Sequence, residues 1–345
     1  MSEIDRFRPE DRRGIDILYR RMHGADAADA NRLRWDWQHR RNPSNRTGQP
    51  DIWVAREGPT VIAHHPTLPV RLSLKGLEVD GAWGAEALVA PERDRQGLDE
   101  ALLRTWDRHA GAALAAGLSS ESRGVLDRLR WPEPHIVPCL VKPLTRRATR
   151  LPHLPTPVNR LVSAIAYPVV QIVARSKPLR AECDPIRRFD TGFTALWERL
   201  APKFDLAIRR DAPYLNWRYV EPPHVRYAIV ALRRNGALQG YAVYRHRQEP
   251  LGRVTMLVDL LVDPDDVSGL KTLLRWVDRA ARAEDADKIR CYLTHGPFRR
   301  VLRRNGYFNV KSTLEVAVKI NAVQVPHGFY EDTDRWHLTS GDTDA

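Results

Sequence analysis

Cysteine is scarce, three residues in 345, and Cys139, Cys183 and Cys291 lie far apart with no CxxC pair. That scatter argues against a disulfide framework or a thiolate zinc cluster and points to a reducing cytoplasm. Long apolar runs are missing as well. The run at 161–174, "LVSAIAYPVVQIVA", is fourteen residues with Pro168 inside, too short to span a bilayer. The N-terminal "MSEIDRFRPEDRR" has no apolar h-region, so no secretory leader is expected. Acids with a third ligand nearby in sequence are lacking too, and His64-His65 reads as an isolated surface pair, so no metal site is expected.

Lysine is scarce but arginine is not. Basic residues exceed acidic ones by 55 to 43, a net charge of +12, and nearly all the excess is arginine. Such a bias reflects either overall composition or a surface that attracts anions: a phosphorylated cofactor, an acidic lipid surface or a nucleic acid. The last fifteen residues are acidic instead, a tail expected either to fold back on a basic surface or to solvate the end.

The chain repeats itself. "RWDWQHRRNP" (Trp37, Pro43) and "YLNWRYVEPP" (Trp217, Pro222) each run into a strand pair. Each half then carries a V-x-P strand end (Val89–Pro91; Val262–Pro264), a helix opened by Gly-Leu (Gly97, Leu98; Gly269, Leu270), and a closing "VLDRLRW" or "VLRRNGY". The offsets are 180, 173, 172 and 176 residues for Trp37/Trp217, Val89/Val262, Gly97/Gly269 and Val125/Val301. Four blocks in one order indicate a duplicated domain.

"DRRGIDILYRRMHG" and "DAADANRLRWDWQHRR" have helical spacing, and "DIWVAREGPTVIAHHPTLPVRLSL" reads as a hairpin around Glu57-Gly58-Pro59. "LEVDGAWGAEALVAP" reads as a central strand pair, and "GLDEALLRTWDRHAGAALAAG" as one helix stopping at Gly117. The order predicts an α+β fold of two tandem domains, each a mixed, mostly antiparallel sheet flanked by helices. Expected boundaries are 1–145, a Pro/Arg-rich connection at 146–185, 186–325, and the acidic tail at 326–345. The apolar run in the connection is either a packed linker helix or an interfacial anchor on an anionic membrane.

A helix N-terminus after V-x-P is a ready pyrophosphate site, because its backbone N–H groups lack partners and its dipole is positive there. "VAPERDRQGLDEALL" adds Arg93, Arg95 and Gln96 around Gly97, whereas the second copy, "VDPDDVSGLKTLL", places Asp263, Asp265 and Asp266 there, which repel phosphate. With "RRDAPYLNWRY", "GALQGYAVYR", "VDLLVDP", "RRNGY" and "WHLTSGDTD", these residues resemble the GNAT (GCN5-related N-acetyltransferase) superfamily in tandem form, similar to bacterial proteins found with surface-polysaccharide biosynthesis.

That resemblance implies direct attack of an amine on an acyl-CoA thioester, with acetyl-CoA or another acyl-CoA as donor, a small-molecule amine as acceptor, and no metal. It implies a donor site at Val89, Arg93, Arg95, Gln96, Gly97 and Leu98. It also implies a carboxylate base on the central strand, Glu86 or its counterpart Asp259, although either acid can instead order an arginine. The family's usual acid tyrosine is replaced by Leu302 and Leu126, leaving Tyr307, with Tyr292 and His295, as substitutes. Trp37 and Trp217 read as core caps or as walls of an acceptor pocket. The expected location is cytoplasmic, with peripheral contact to the inner membrane face under the anchor reading. Two alternatives remain open: aminoacyl transfer from charged tRNA, which the basic surface suits, and an inactive pair that serves as a binding subunit.

Overall fold

The structure, a computed structural model, describes residues 3–85, 87–93, 95–149 and 182–343; the apolar run at 161–174 lies outside them. Among the described residues no helix is long and apolar enough to cross a membrane.

The first half begins with β1 (Glu3–Arg6), α1 (Asp11–His23) and α2 (Ala25–Trp35), which ends in a π-helical turn at Asp36–Arg40. The expected hairpin follows as β2 (Ile52–Glu57) and β3 (Thr60–Leu74), with Gly58 at φ 56° in the turn. Then come β4 (Leu77–Gly84), a break, β5 (Leu88–Val89), α3 (Arg95–His109) and β6 (Ala112–Ala116). The half closes with α4 (Ser120–Arg128), β7 (His135–Ile136) and β8 (Cys139–Pro143).

The single helix expected through Gly117 is thus two elements. Alanine's helix preference is worth only tenths of a kcal/mol over most residues. Against it, the "AALAA" backbone is paired on both sides, parallel to β4 and antiparallel to a strand of the second half. The second ladder runs the length of the strand and the first covers Ala113–Ala115, and the small side chains leave room for Trp106 to pack on one face.

The second half repeats the order: β9 (Glu182–Ile186), α5 (Thr191–Leu200), β10 (Leu206–Ile208), α6 (Ala212–Tyr219), β11 (Ala228–Arg234), β12 (Ala237–Glu249) and β13 (Gly252–Val262). It continues with α7 (Val267–Ala283), β14 (Lys288–Tyr292), α8 (Gly296–Arg303), β15 (Phe308–Val310) and β16 (Glu315–Ile320). Helix α7 forms because Leu270, Leu273, Leu274, Val277 and Ala281 share its buried face. A terminal segment adds β17 (Trp336–His337) and a single turn, α9 (Ser340–Thr343).

Two sheets result, and the expected α+β architecture of two mixed, mostly antiparallel sheets flanked by helices is what the molecule has. The first runs β1-β2-β3-β4-β6-β16-β7, with β5 and β10 paired to β3 and β17 to β10. The second runs β9-β11-β12-β13-β14-β8-β15. Each sheet takes its next-to-last strand from the other half: β16 lies between β6 and β7, and β8 between β14 and β15.

One hydrophobic cluster spans both halves. At its centre the Trp37 and Trp217 rings stack at 5.1 Å. Each indole N–H donates to the other residue's carbonyl, at 2.7 Å in both directions. A reciprocal contact between equivalent positions is the mark of a two-fold interface. The two tryptophans join the halves.

Candidate active site

In the first half β4 and β6 run parallel and paired from Ala82↔Ala113 to Gly84↔Ala115, then separate. Beyond the break, β5 stays with β3 through Ala63↔Val89 and His64↔Leu88. On the other prong the chain leaves β6 at Gly117, which takes φ 66°. The strands therefore open into a fork.

A cavity lies on each side of this fork. Toward α3 and α4, about 310 Å³ is lined by Asp99, Leu103, Trp106, Ser119, Ser122 and Val125. Toward α1 and α2, about 320 Å³ is lined by Tyr19, Asn31, Arg34, His39, His64 and Trp83, with Asp342 and Thr343 of the terminal segment. Gly84, Ala85 and Ala116 line both, so the cavities meet at the fork. Gly84 cannot carry a side chain without moving Trp106, whose ring a Cβ would meet at 2.7 Å.

His64 is one of the polar residues that line the second cavity. It is buried, and neither ring nitrogen has a partner among the described residues. Burial, with His65 and His39 nearby, pushes its imidazole down to about 3. It is therefore neutral at physiological pH, with a lone pair that can accept a proton or hydrogen bond. His39, also a cavity residue, is pushed down to about 4 by burial and by Arg12. The expectation of a surface pair at His64-His65 is corrected: both are buried, with His65 packed on Trp106 at 5.0 Å. The apolar residues "VIA" before the pair were the legible signal, because a strand buried on both faces admits no solvent-facing histidine.

The second half forks at the matching place and is filled. β13 and β14 pair from Val254↔Lys288 to Leu257↔Cys291, and the terminal segment enters beyond. His337 Nε2 bonds the Leu260 carbonyl at 2.8 Å on one prong. Leu338 exchanges hydrogen bonds with Thr294 at 2.9 and 3.0 Å on the other, and Thr339 bridges to Leu293. The acidic tail thus folds back, with Trp336 and Leu338 in the core.

Its Asp342 completes a buried charge cluster. Arg210 Nη2 donates to Asp342 at 2.7 Å and Arg210 Nε to Asp259 at 3.2 Å, while the Tyr241 hydroxyl donates to Asp259 at 2.9 Å. Burial raises the Asp342 carboxyl above its ordinary value, and Arg210 opposes that rise. The N-terminus of α7 is occupied as well. Asp266 accepts from Gly269 N–H at 2.9 Å and is held by Arg234 at 3.1 Å. Burial would raise its pKa, but the bonds from Gly269, Ser268 and Arg234 hold it below the ordinary value. A carboxylate sits where a phosphate would.

The residues expected at the site fall as follows. Glu86, at the break between β4 and β5, lies outside the described residues, as do the side chains of Arg95 and Gln96. Val89 is core, Leu98 packs against the cluster of Trp53 and Trp106, and Gly97 is exposed in the first turn of α3. Arg93 is exposed and ion-paired to Glu57. Asp259 is sealed under the terminal segment, without access to either cavity of the first fork. Tyr307 is buried in the second half beside Lys142 (5.9 Å), and burial, then Cys291, raises its hydroxyl well above 10. Tyr292 is half-buried, and His295 is buried against Phe298. Among the described residues no cluster of His, Cys, Asp and Glu could hold a metal.

No family model matches the chain, and no curated protein matches it in sequence. Solved structures do match in fold. A GCN5-related N-acetyltransferase from Anabaena variabilis superposes with a TM-score of 0.64 at 10% identity, covering 93% of this chain and 73% of that one. A probable N-acyltransferase from Enterococcus faecalis gives 0.64 at 8% identity, with the same coverage. The N-myristoyltransferase of Saccharomyces cerevisiae, with bound myristoyl-CoA, gives 0.56 at 13% identity, covering 92% and 79%. At these identities the likeness is one of fold.

Proposed function

We propose that the protein is an acyl-CoA-dependent N-acyltransferase whose first half is the working centre. Two cavities that meet at an open strand fork carry this reading. The side toward α3 and α4 suits a donor, with its pyrophosphate near Gly97 at the α3 N-terminus and its thioester at Gly84 and Ala116. The side toward α1 and α2 suits the amine. Attack of the neutral amine forms a C–N bond at the thioester carbon and breaks the C–S bond; His64 takes the proton that the nitrogen loses and passes it to the departing thiolate, which leaves as the thiol.

The matched order and register of the halves support an internal duplication with divided labour. The second half, with Asp266 at its helix start and the terminal segment in its fork, serves as scaffold. The similarity to tandem proteins found with surface-polysaccharide biosynthesis favours an amino sugar as acceptor, with amino acids and other small amines as the comparison set.

Titration calorimetry with acetyl-CoA should give one site per chain, and Gly97→Glu should weaken it at least tenfold by placing a carboxylate at the helix start. Binding of two equivalents would sink the assignment of labour. No binding of acetyl-CoA or longer acyl-CoAs would sink the reading itself.

A further inference from the structure

Helix α2 and the turn that follows it put a row of polar side chains on the wall of the His64 cavity. Asn31, Arg34 and Gln38 line that cavity, and spacings of three and four residues set them on one helical face. All three are half-buried, and none of their side chains makes a hydrogen bond or an ion pair among the described residues. The Nε of Arg34 is buried without a partner, so the terminal Nη groups are the accessible end of its guanidinium. Arginines of the same segment that face solvent are paired: Arg32 with Asp29 at 3.1 Å and Arg40 with Asp36 at 3.7 Å.

The second half puts the corresponding positions to structural use. The offset of 180 residues between Trp37 and Trp217 assigns Asn31, Arg34 and Gln38 to Asp211, Tyr214 and Arg218. Asp211 accepts from the Tyr214 N–H at 2.9 Å and from Arg209 at 2.6 Å. Tyr214 is buried, and Arg218 Nε donates to the Gly341 carbonyl at 2.7 Å. Packing and capping account for these residues in the scaffold half, and for none of the polar row in the first.

Among the described residues, Arg34 is the cation on this wall without a counter-ion. His39 and His64 are neutral at physiological pH, His23 packs on the Tyr19 ring at 4.7 Å, and Asp342 is already held by Arg210 at 2.7 Å. One guanidinium matches the single charge of a carboxylate in a two-pronged geometry, with two carboxamides beside it as further donors. A phosphate monoester would bring about −1.5 to −2 at neutral pH against that one charge, with Asp342 on the same wall.

We infer that the acceptor carries a carboxylate, which Arg34 binds beside Asn31 and Gln38 while the acceptor's amine lies at the fork. The chemical class is an amino acid or an amino sugar bearing an acid group. The carboxylate subsite stands without the acyltransferase reading; only the placing of the amine rests on it.

Acetylated products are the probes, titrated calorimetrically into the full chain. N-acetylmuramic acid against N-acetylglucosamine tests the sugar source, and the common N-acetyl-L-amino acids against their primary amides test the amino-acid source. In at least one source the acid should bind at least tenfold more tightly than its uncharged counterpart, as a charge-assisted pair requires. The pair that shows this ratio identifies the source. Arg34→Gln should abolish the ratio, and Arg34→Lys, which keeps the charge but not the fork, should keep part of it; neither should alter the Tm or the acetyl-CoA Kd. The proposal is overturned if no acid is preferred over its counterpart, or if the preference survives in Arg34→Gln. Tighter binding of N-acetylglucosamine 6-phosphate than of every carboxylate also overturns it. Arg34-dependent carboxylate binding in a protein that binds no acyl-CoA supports the subsite and removes the transferase reading; acyl-CoA binding with no carboxylate preference does the reverse.

Discussion

Replacing Asp259 by Asn distinguishes a catalytic base from a structural anchor. The side chains of Arg210 and Asp259 are fully buried, and that of Asp342 is 1% exposed. Asparagine keeps the volume of Asp259 but has one oxygen, which can still accept from the Leu260 N–H (2.9 Å); the Tyr241 hydroxyl, which bonds the other oxygen (2.9 Å), must turn to accept from the amide, so the change removes one charge and reverses one hydrogen bond. Breaking a buried ion pair outright costs about 3–5 kcal/mol. Asp342 remains against Arg210, so Asp259→Asn should fall at the low end, about 3 kcal/mol. Arg210→Met leaves two buried carboxylates without a cation and should reach about 5 kcal/mol, whereas Asp342→Asn leaves a neutral Arg210–Asp259 pair and should cost the least of the three. At roughly 2–4 °C per kcal/mol, the Asp259 variant should melt about 6–12 °C lower. Urea titration followed by tryptophan fluorescence gives the order, and calorimetry on the folded variant should give acetyl-CoA affinity close to wild type. The reasoning is refuted if Asp259→Asn keeps its stability within about 1 kcal/mol yet abolishes acyl transfer, since an exposed-site base behaves that way.

Acid should unfold the protein early. His39, His64, His65 and His295 are held at about 4, 3, 4 and 3, chiefly by burial. The unfolded chain takes up protons below about pH 6.5 while the folded one does not, so stability is lost as pH falls from 6.5 toward 4, by up to about 1.4 kcal/mol per unit per histidine. Urea midpoints across that range should show the fall, and His64→Asn should flatten it; a flat profile in the wild type contradicts the burial. Residues 1–149 and 182–345 produced separately should fail to fold, since each sheet lacks a strand held by the other fragment, and should form a 1:1 complex when co-produced. Size-exclusion chromatography and circular dichroism decide; a folded isolated half counts against the exchange. Trp37→Phe removes one reciprocal hydrogen bond and leaves the buried Trp217 carbonyl unpaired, a loss of about 2–3 kcal/mol readable in denaturation.

Local pattern carried much of the fold. The hairpin at Gly58 and the helix opened by Gly269 depend on interactions a few residues apart, and these leave periodic traces, whereas the segment read as a strand pair before Pro91 is one strand broken at residue 86, with both parts paired to β3. The helix read through "AALAA" failed because a strand's ladders come from residues distant in sequence, and small alanines do not reveal those partners. His64 was missed for another reason: the pair was read by its own polarity, although the apolar residues before it mark a strand buried on both faces.

By itself, the sequence determined that two similar α+β units follow one another, and that arginines flank Gly97 in the first while aspartates precede Gly269 in the second. Spacing and charge suffice for that, because both are local. Only the tertiary structure decided that the units exchange strands, that Trp37 and Trp217 clasp across a two-fold contact, and that the terminal segment fills one fork while no described residue fills the other. These are matches between surfaces more than a hundred residues apart, and the free energy of burying them depends on shape that no local window of sequence contains.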